Sequence, residues 1–220
     1  MVSGAYAHDC PFLPSDMADA GWHCNSAQFS EVFYDENDEF PLLYISGSQG
    51  DKVTMFLVAR VVPYKDKYTY HLELVQTVTM PPSCTYANIG VEGNYLYMQG
   101  PRANGLCSVY KCEIPAIFDG NGDVIDTVVM TDEDIVRTYT APAPDNPQGV
   151  CVHKGILYST WGGIDQSFLT AYDLWSGELI NTIDLHAIGL IYEPEGCAFY
   201  KETLFVNFAQ GGRGVYRFWI

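Results

Sequence analysis

Residues 147–161 read PQGVCVHKGILYSTW and residues 194–208 read PEGCAFYKETLFVNF, so two copies of one pattern lie 47 positions apart. A proline, a glycine, a lysine and a leucine occupy matching places in the two copies, and an aromatic residue closes each copy. Apolar residues alternate inside both copies, as they do in half-buried β-strands. A repeat of this period built from strands is typical of radial β-structure and not of a helical solenoid. The pattern therefore predicts a β-propeller.

Weaker copies of the pattern occur upstream. Residues 86–100 read YANIGVEGNYLYMQG and residues 40–47 read FPLLYISG, and each stretch contains a leucine followed by a tyrosine. The leucine anchors are therefore residues 43, 96, 157 and 204, with spacings of 53, 61 and 47 residues. These spacings suit four-stranded blades of about 40–50 residues joined by loops of variable length.

We expect one all-β propeller domain over residues 1–220, with four visible blades of four antiparallel strands each. The expected blades span about residues 41–80, 84–130, 147–186 and 194–220, after an irregular N-terminal segment of residues 1–40. The outer strand of the second blade is expected near residues 124–129. A short helix near Ser15–Ala20, with Ser15 as its N-cap, is the one helical element expected. A five-bladed parent whose first blade is missing is the alternative arrangement.

The last blade is expected to lack one strand. Its final strand, Val215–Ile220, carries large apolar side chains on both faces, because Tyr216 and Phe218 alternate with Val215 and Trp219. Natural proteins normally cover a sheet edge of this kind. We therefore expect the N-terminal segment or a second copy of the chain to pair along this edge.

The charge of the chain limits its partners. The formal net charge is −16 and the pI is about 4.4. A polyanion is not drawn to phosphate backbones or to anionic lipids, so nucleic-acid partners are not expected. No apolar run is long enough to cross a bilayer, and the N-terminal residues lack the basic and apolar regions of a signal peptide. The residues themselves thus predict no membrane span and assign no location.

The sequence contains seven cysteines. Cys151 and Cys197 lie in the repeated inner-strand segment, where a small buried side chain fits, so we expect both to be buried and unbridged. Cys10 and Cys24 are near enough in sequence to pair across the N-terminal loop, and the alternative is that all seven are thiols. None of the spacings between cysteines and histidines is that of a zinc site.

The run Asp-Gly-Asn-Gly-Asp at residues 119–123 has two interpretations. Its first acidic and amide positions match those of a calcium loop, but Met130 stands where the loop would need its final glutamate. Asp-Gly and Asn-Gly pairs between strands are also ordinary turn residues. The turn is the favoured interpretation, and no cofactor is expected, with calcium as the alternative.

Four segments carry a resemblance to a known family: HCNSAQF (23–29), FPLLYISG (40–47), PQGVCVHKGILY (147–158) and EPEGCAFYKETLFVNF (193–208). The chain resembles, over roughly residues 23–220, the five-bladed propellers of staphylococcal tailed-phage receptor-binding proteins, teichoic-acid-related proteins and uncharacterised gut-bacterial envelope proteins. Members of that family carry a further blade before the His-x-Asn-Ser segment. The resemblance implies binding to a cell-surface glycan or envelope polymer, an extracellular or cell-envelope location, and no established catalysis.

Candidate ligand-binding residues follow from propeller geometry. The innermost strands line a central channel, and ligands bind where the loops that lead into these strands converge. Residues at equivalent or near-equivalent points of successive blades are His23, Asn25, Tyr86, Asn88, Gln148 and Glu195. Trp161 is a candidate for stacking against a sugar ring, since the chain is rich in aromatic residues. The alternative is that the polar groups satisfy loop backbone and buried water, and that Trp161 belongs to the core.

Three classes of function remain open. The first is a non-catalytic module that binds a glycan or envelope polymer at the propeller face. The second is a scaffold for a protein partner. The third is a lactonase-like or lyase-like enzyme with a channel metal, because Pro-Glu-Gly at 194–196 is similar to the glutamate-bearing loop of six-bladed lactonases. The matching Asn-Asp set of those enzymes is missing, as are the Gly-x-Ser-x-Gly, P-loop and His-Glu-x-x-His motifs. No catalytic residue and no metal ligand are assigned.

Overall fold

The repeat forms β-strands in the computed structural model, which describes residues 22–49, 54–64, 69–209 and 214–218. Over these residues the chain is all-β, with a single 3-10 turn at Asp132–Asp134 and no α-helix. The strands are β1 (Trp22–Phe29), β2 (Leu43–Gln49), β3 (Thr54–Pro63), β4 (Tyr70–Thr79), β5 (Ile89–Glu92), β6 (Tyr95–Ala103), β7 (Leu106–Glu113), β8 (Thr127–Val129), β9 (Ile135–Pro142), β10 (Pro147–His153), β11 (Ile156–Gly162), β12 (Ser167–Asp173), β13 (Leu179–Asp184), β14 (Pro194–Tyr200), β15 (Thr203–Phe208) and β16 (Gly214–Phe218).

The strands form four small sheets arranged as the blades of a propeller. Blade one has the order β1-β2-β3-β4-β8, blade two β5-β6-β7-β9, blade three β10-β11-β12-β13 and blade four β14-β15-β16. Neighbouring strands are antiparallel except β8, which runs parallel to β4. The predicted all-β propeller with four blades is confirmed. No helix in the described residues is long and apolar enough to cross a membrane.

Two strand predictions need correction. The segment 1–40, expected to be irregular, contains β1, which forms the innermost strand of blade one. The strand near residues 124–129 does not close blade two, because β8 joins blade one and β9 takes the outer position of blade two. Buried Gln76 of β4 also binds the segment before β8, since its side-chain amide donates hydrogen bonds of 2.9 Å to the carbonyls of Ala116 and Ile125.

The ring closes through its inner strands β1, β5, β10 and β14. β1 contacts β5 on one side and β14 on the other, and among the described residues no further sheet lies between blades four and one. The strands approach closely at two repeated glycines, since a Cβ added to Gly149 would lie 2.5 Å from the Cα of Gly196. A side chain at that position would displace backbone, so the matching glycines of the repeat are explained by packing at the axis.

The core consists of apolar layers between adjacent blades. Three leucine anchors of the repeat face the preceding blade: Leu96 clusters with Phe56 of blade one, Leu157 with Tyr97 of blade two, and Leu204 with Tyr158 of blade three. The fourth anchor, Leu43, packs within blade one. The tyrosine after each leucine points the other way, because successive side chains of a strand alternate between faces. This alternation buries both faces of a blade and makes the Leu-Tyr pair visible in the sequence.

The outer edge of blade four is β16 in the described part of the chain. Residues 1–21, 219 and 220 lie outside the described residues, as do the expected helix at Ser15–Ala20 and Cys10. The pairing of this edge with the N-terminal segment or with a second copy therefore stays a prediction, and so does the pairing of Cys10 with Cys24.

Candidate functional site

The central channel has two ends of different construction. At one end, here called the bulge mouth, the chain enters each inner strand. At the other end, the hairpin mouth, each inner strand leaves the axis and turns into the second strand of its blade. The sequence analysis placed its candidate residues at the bulge mouth.

The side chain of Gln28 in β1 lies among the four inner strands. Buried Gln28 donates from Nε2 to the carbonyls of Val150 (2.5 Å) and Cys197 (3.3 Å), and its Oε1 accepts from the Val91 N–H (3.0 Å). One side chain thus connects the inner strands of all four blades. Because these strands do not pair with each other as a sheet, Gln28 satisfies backbone groups that would otherwise be buried without partners.

A repeated irregularity defines the bulge mouth. The register of the inner strand shifts between Cys24 and Ser26, between Pro147 and Gly149, and between Pro194 and Gly196. The extra residues are Asn25, Gln148 and Glu195, three of the predicted ligand-binding residues. The structure therefore brings their backbones to equivalent points of blades one, three and four. β-bulges re-aim side chains and end regular pairing, which accounts for the break at this mouth.

The side chains at the bulge mouth have different surroundings. Gln148 donates to the carbonyl of Gly162 (2.6 Å) and to Oε1 of Glu193 (2.9 Å), so its amide is used within the protein. Glu195 lines a cavity of about 240 Å³ together with Gly196, Cys197 and Asn207. The side chains of His23 and Asn25 lie outside the described residues.

The predicted residues of blade two lie away from this cavity. Asn88 is fully buried and donates from Nδ2 to Oε1 of Gln99 at 2.9 Å. Tyr86 is half-buried, and its backbone N–H donates to the Gln99 carbonyl at 3.3 Å. These contacts lie within blade two, and Tyr86, Asn88 and Gln148 do not line the cavity that Glu195 borders.

Trp161 belongs to the core. Its side chain is 1% exposed and clusters with Cys107, Ala143 and Phe168. The indole Nε1–H donates to Oγ1 of Thr170 at 2.8 Å. Both the ring faces and the polar atom of Trp161 are thus occupied within the protein, and we leave it out of the candidate site.

The hairpin mouth contains the larger cavity, about 780 Å³, lined by the ends of all four inner strands. Two aromatic groups lie on its wall. Phe29 is 48% exposed and stacks on Phe40 with ring centroids 5.9 Å apart. Phe199 stacks on the imidazole of His153 at 4.1 Å with an interplanar angle of 15°. Rings of blades one, three and four therefore border one cavity, with part of the Phe29 surface open to solvent.

Charged groups border the same cavity. Lys154 Nζ lies 2.5 Å from Oε2 of Glu202, and Nε2 of His153 lies 3.4 Å from the same oxygen. Hydrogen bonds from Lys154 and His153 lower the pKa of Glu202 below its usual range. Oε1 of Glu92 accepts from the Gly155 N–H at 3.0 Å, which fixes the blade-three turn against blade two. Lys154 and Lys201, two of the chain's 11 lysines and arginines, line the cavity together with Glu31 and Glu92, so its wall carries both signs of charge.

The local fold explains why the two lysines occupy this position. Lys154 and Lys201 have φ values of 53° and 54° and follow the ends of β10 and β14 directly. Gly155 also has positive φ, at 75°, so Lys154-Gly155 forms the kind of two-residue turn preferred in hairpins. The matching lysines in the sequence repeat were the available signal for this mouth, and the sequence analysis assigned them no role.

The Asp119–Asp123 run is a turn, as favoured. Oδ1 of Asp119 accepts from the backbone N–H groups of Asn121 (2.8 Å) and Asp123 (3.0 Å). These bonds lower the pKa of Asp119. Across the described residues, no three His, Cys, Asp or Glu side chains lie close enough together to hold a metal ion.

Cys151 and Cys197 are buried and unbridged, as predicted. Their sulfur atoms lie 3.4 Å apart, across the contact between β10 and β14. Burial, together with the neighbouring Cys197, raises the pKa of Cys151 well above its usual value. The Cys151 side chain is therefore a thiol and not a thiolate at neutral pH.

Comparison with known proteins adds little to this description. No protein-family model matches the chain, and no curated protein matches it. The crystal structure of the computationally designed Ika8 protein is similar over 88% of this chain and 70% of that chain, with 11% identity and a TM-score of 0.34. The chain is a four-bladed β-propeller with a buried glutamine, Gln28, among its inner strands.

Proposed function

We propose that this propeller is a non-catalytic binding module that recognises a cell-surface glycan or envelope polymer at its hairpin mouth. The observation that carries the proposal is the cavity where Phe29 and the His153–Phe199 pair lie beside Lys154, Lys201 and carboxylates. A sugar presents apolar C–H faces and polar hydroxyls, and a wall of this mixed kind offers a partner to each. The resemblance to phage receptor-binding and envelope propellers supports the same class of ligand.

The hairpin mouth favours binding over chemistry. Cys151 borders the cavity, but its side chain is buried and its S–H donates to Cys197, so among the described residues its hydrogen-bond partner is not a general base. The imidazole of His153 is stacked on Phe199 and hydrogen-bonded to exposed Glu202, and in the described part of the chain neither partner is a hydroxyl or thiol nucleophile. These contacts suit a fixed recognition surface better than a nucleophile–base pair.

The test is binding of the full-length chain to a glycan array, followed by titration of each bound saccharide. Phe29→Ala should weaken binding about threefold to tenfold, which corresponds to the loss of one aromatic contact. Trp175→Ala is the matched control, since Trp175 is 87% exposed in the turn between β12 and β13 and does not line the cavity. The control should bind like the wild type.

The proposal fails if the array shows no bound saccharide, or if Phe29→Ala and Trp175→Ala bind equally well. Turnover of an aryl ester or a lactone by the wild-type chain would instead favour the enzymatic alternative. Melting temperatures of all three proteins are measured alongside, so that a folding defect is not taken for a loss of affinity.

A protein scaffold is the second candidate, and exposed apolar loops favour it. Ile164 lies in the turn between β11 and β12, while Ile188 and Ile191 lie in the segment that leads into β14. All three side chains are more than half exposed, and the topology places both loops on the face of the bulge mouth. Exposed apolar groups clustered on one face are typical of protein contacts. Self-association that Ile188→Asp abolishes without lowering the melting temperature would support this candidate.

A further inference from the structure

The contact between blades three and four contains two thiols that are placed to react with each other. Cys151 of β10 and Cys197 of β14 occupy neighbouring inner strands, and their sulfur atoms are 3.4 Å apart. A disulfide bond is about 2.05 Å long, so the sulfurs need to approach by roughly 1.4 Å. The strands are held close at this level, because Gly149 and Gly196 leave no space between their backbones.

The hydrogen bonds of the pair give the two sulfurs different roles. The Cys151 S–H donates to the Cys197 sulfur, and the Cys197 S–H donates to the Tyr158 carbonyl at 3.6 Å. A lone pair of Cys197 therefore points toward Cys151. The Tyr158 carbonyl accepts the hydrogen bond of the Cys197 S–H, which keeps the lone pair of Cys197 directed at Cys151.

The two residues of the pair border different cavities. Cys151 lines the cavity of the hairpin mouth, and Cys197 lines the smaller cavity of the bulge mouth. Both side chains are buried, so a small oxidant reaches them when the contact between β10 and β14 opens locally. Cys107 and Cys112 are equally buried but line neither of these two cavities.

We propose that Cys151 and Cys197 are a dithiol modification site, at which a peroxide forms a disulfide that cross-links blades three and four. In the first step the Cys151 sulfur takes one oxygen from hydrogen peroxide, giving a sulfenic acid and one water. In the second step the Cys197 sulfur attacks the Cys151 sulfur, the S–O bond breaks, and the Cys197 proton leaves with the hydroxyl as a second water. The two sulfurs together lose two electrons, which reduce the peroxide.

The experiment treats the native full-length chain with hydrogen peroxide and maps its peptides without reduction. We expect a Cys151–Cys197 linked peptide and a melting temperature higher by about 10 °C, because the bond closes a loop of 46 residues. A dithiol reductant should reverse both changes. The proposal is overturned if the linked peptide is missing from native protein, or if it forms only after denaturation.

Single variants test the assignment of the two sulfurs. In Cys197→Ala, Cys151 has no partner, so its sulfenic acid should accumulate, be trapped by a dimedone probe, and leave the melting temperature unraised by peroxide. Cys107→Ala is the matched control and should keep both the linked peptide and the thermal shift. A peroxide-induced shift that persists in Cys197→Ala would overturn the proposal. Should Cys197→Ala not fold, Cys151→Ala replaces it, and the wild-type peptide map remains decisive.

Discussion

The two mouths of the channel are built from the same four strands, yet they present different chemistry. At the bulge mouth the chain loses its regular pairing, and side chains such as Gln148 are used for hydrogen bonds within the protein. At the hairpin mouth, tight turns such as Lys154-Gly155 satisfy the backbone locally, so Lys154 and Phe29 remain exposed around a cavity of about 780 Å³. Side chains are therefore available to bind a ligand at the mouth where the turns satisfy the backbone hydrogen bonds.

The largest expected effect comes from Gln28, whose side chain connects the four inner strands. Gln28→Ala removes the partners of the Val91 N–H and the Val150 carbonyl, both of which are buried. Each unpaired group costs about 1–3 kcal/mol, so we expect a loss of about 4 kcal/mol of unfolding free energy and a melting temperature lower by about 10 °C. Thermal unfolding followed by circular dichroism measures the change.

Gln166→Ala is the control for this prediction, because Gln166 is an exposed loop residue of the same type. Its melting temperature should stay within about 1–2 °C of the wild type. Equal stability of the two variants would show that Gln28 does not hold the inner strands together.

A smaller loss of stability is expected at the tight end of the channel. Gly149→Ala places a methyl group 2.5 Å from the Cα of Gly196, so the two inner strands must separate. Overpacking of this kind costs about 1–3 kcal/mol. Denaturant unfolding should show the loss, while Gly120→Ala, whose added methyl meets no atom within 4 Å, should show almost none. An unchanged midpoint for Gly149→Ala would mean that the strands are not in close contact at the bulge mouth.

The sequence predicts the fold far better than the site. The Leu-Tyr anchors and paired glycines are repeated, and each repeat has one physical cause: burial on two blade faces, or close approach at the axis. The sequence analysis assigned β8 to the wrong blade. β8 pairs with β4, about fifty positions upstream, and Gln76 of β4 donates a hydrogen bond to Ile125 just before β8. Hydrogen bonds between distant residues leave no local pattern, and this is also why the role of Gln28 was not visible.

The candidate site was only partly visible for a related reason. Gln148 and Glu195 are polar residues at matching positions of the two repeat copies, and the structure brings their backbones to one mouth. Lys154 and Lys201 matched in the same repeat, but a lysine in a turn is ordinary. Only the ring of strands shows that these turns converge on a cavity.

An electrostatic effect at the hairpin mouth is expected to be smaller still. Hydrogen bonds from Lys154 and His153 lower the pKa of Glu202 below its ordinary 4.5. The pairing therefore stabilises the fold above the ordinary pKa, and this contribution is lost as the pH falls through the lowered value. An NMR titration of the Glu202 carboxyl carbon should give a pKa below 4.5, and Lys154→Ala should move it upward. Lys111→Ala, on the blade-two face beside Tyr95, should leave it unchanged.

The smallest expected effect decides which mouth binds the ligand. Glu195→Ala changes a carboxylate at the bulge mouth, which lines the cavity of about 240 Å³ and not the larger one. If the saccharide binds at the hairpin mouth, its affinity should change less than twofold in Glu195→Ala while it falls in Phe29→Ala. Titration of both variants with the same saccharide makes the comparison, and melting temperatures measured in parallel separate binding from folding. A loss of affinity in Glu195→Ala at an unchanged melting temperature, with normal binding by Phe29→Ala, would move the site to the bulge mouth. Such a result would also mean that the polar side chains there do more than satisfy the backbone.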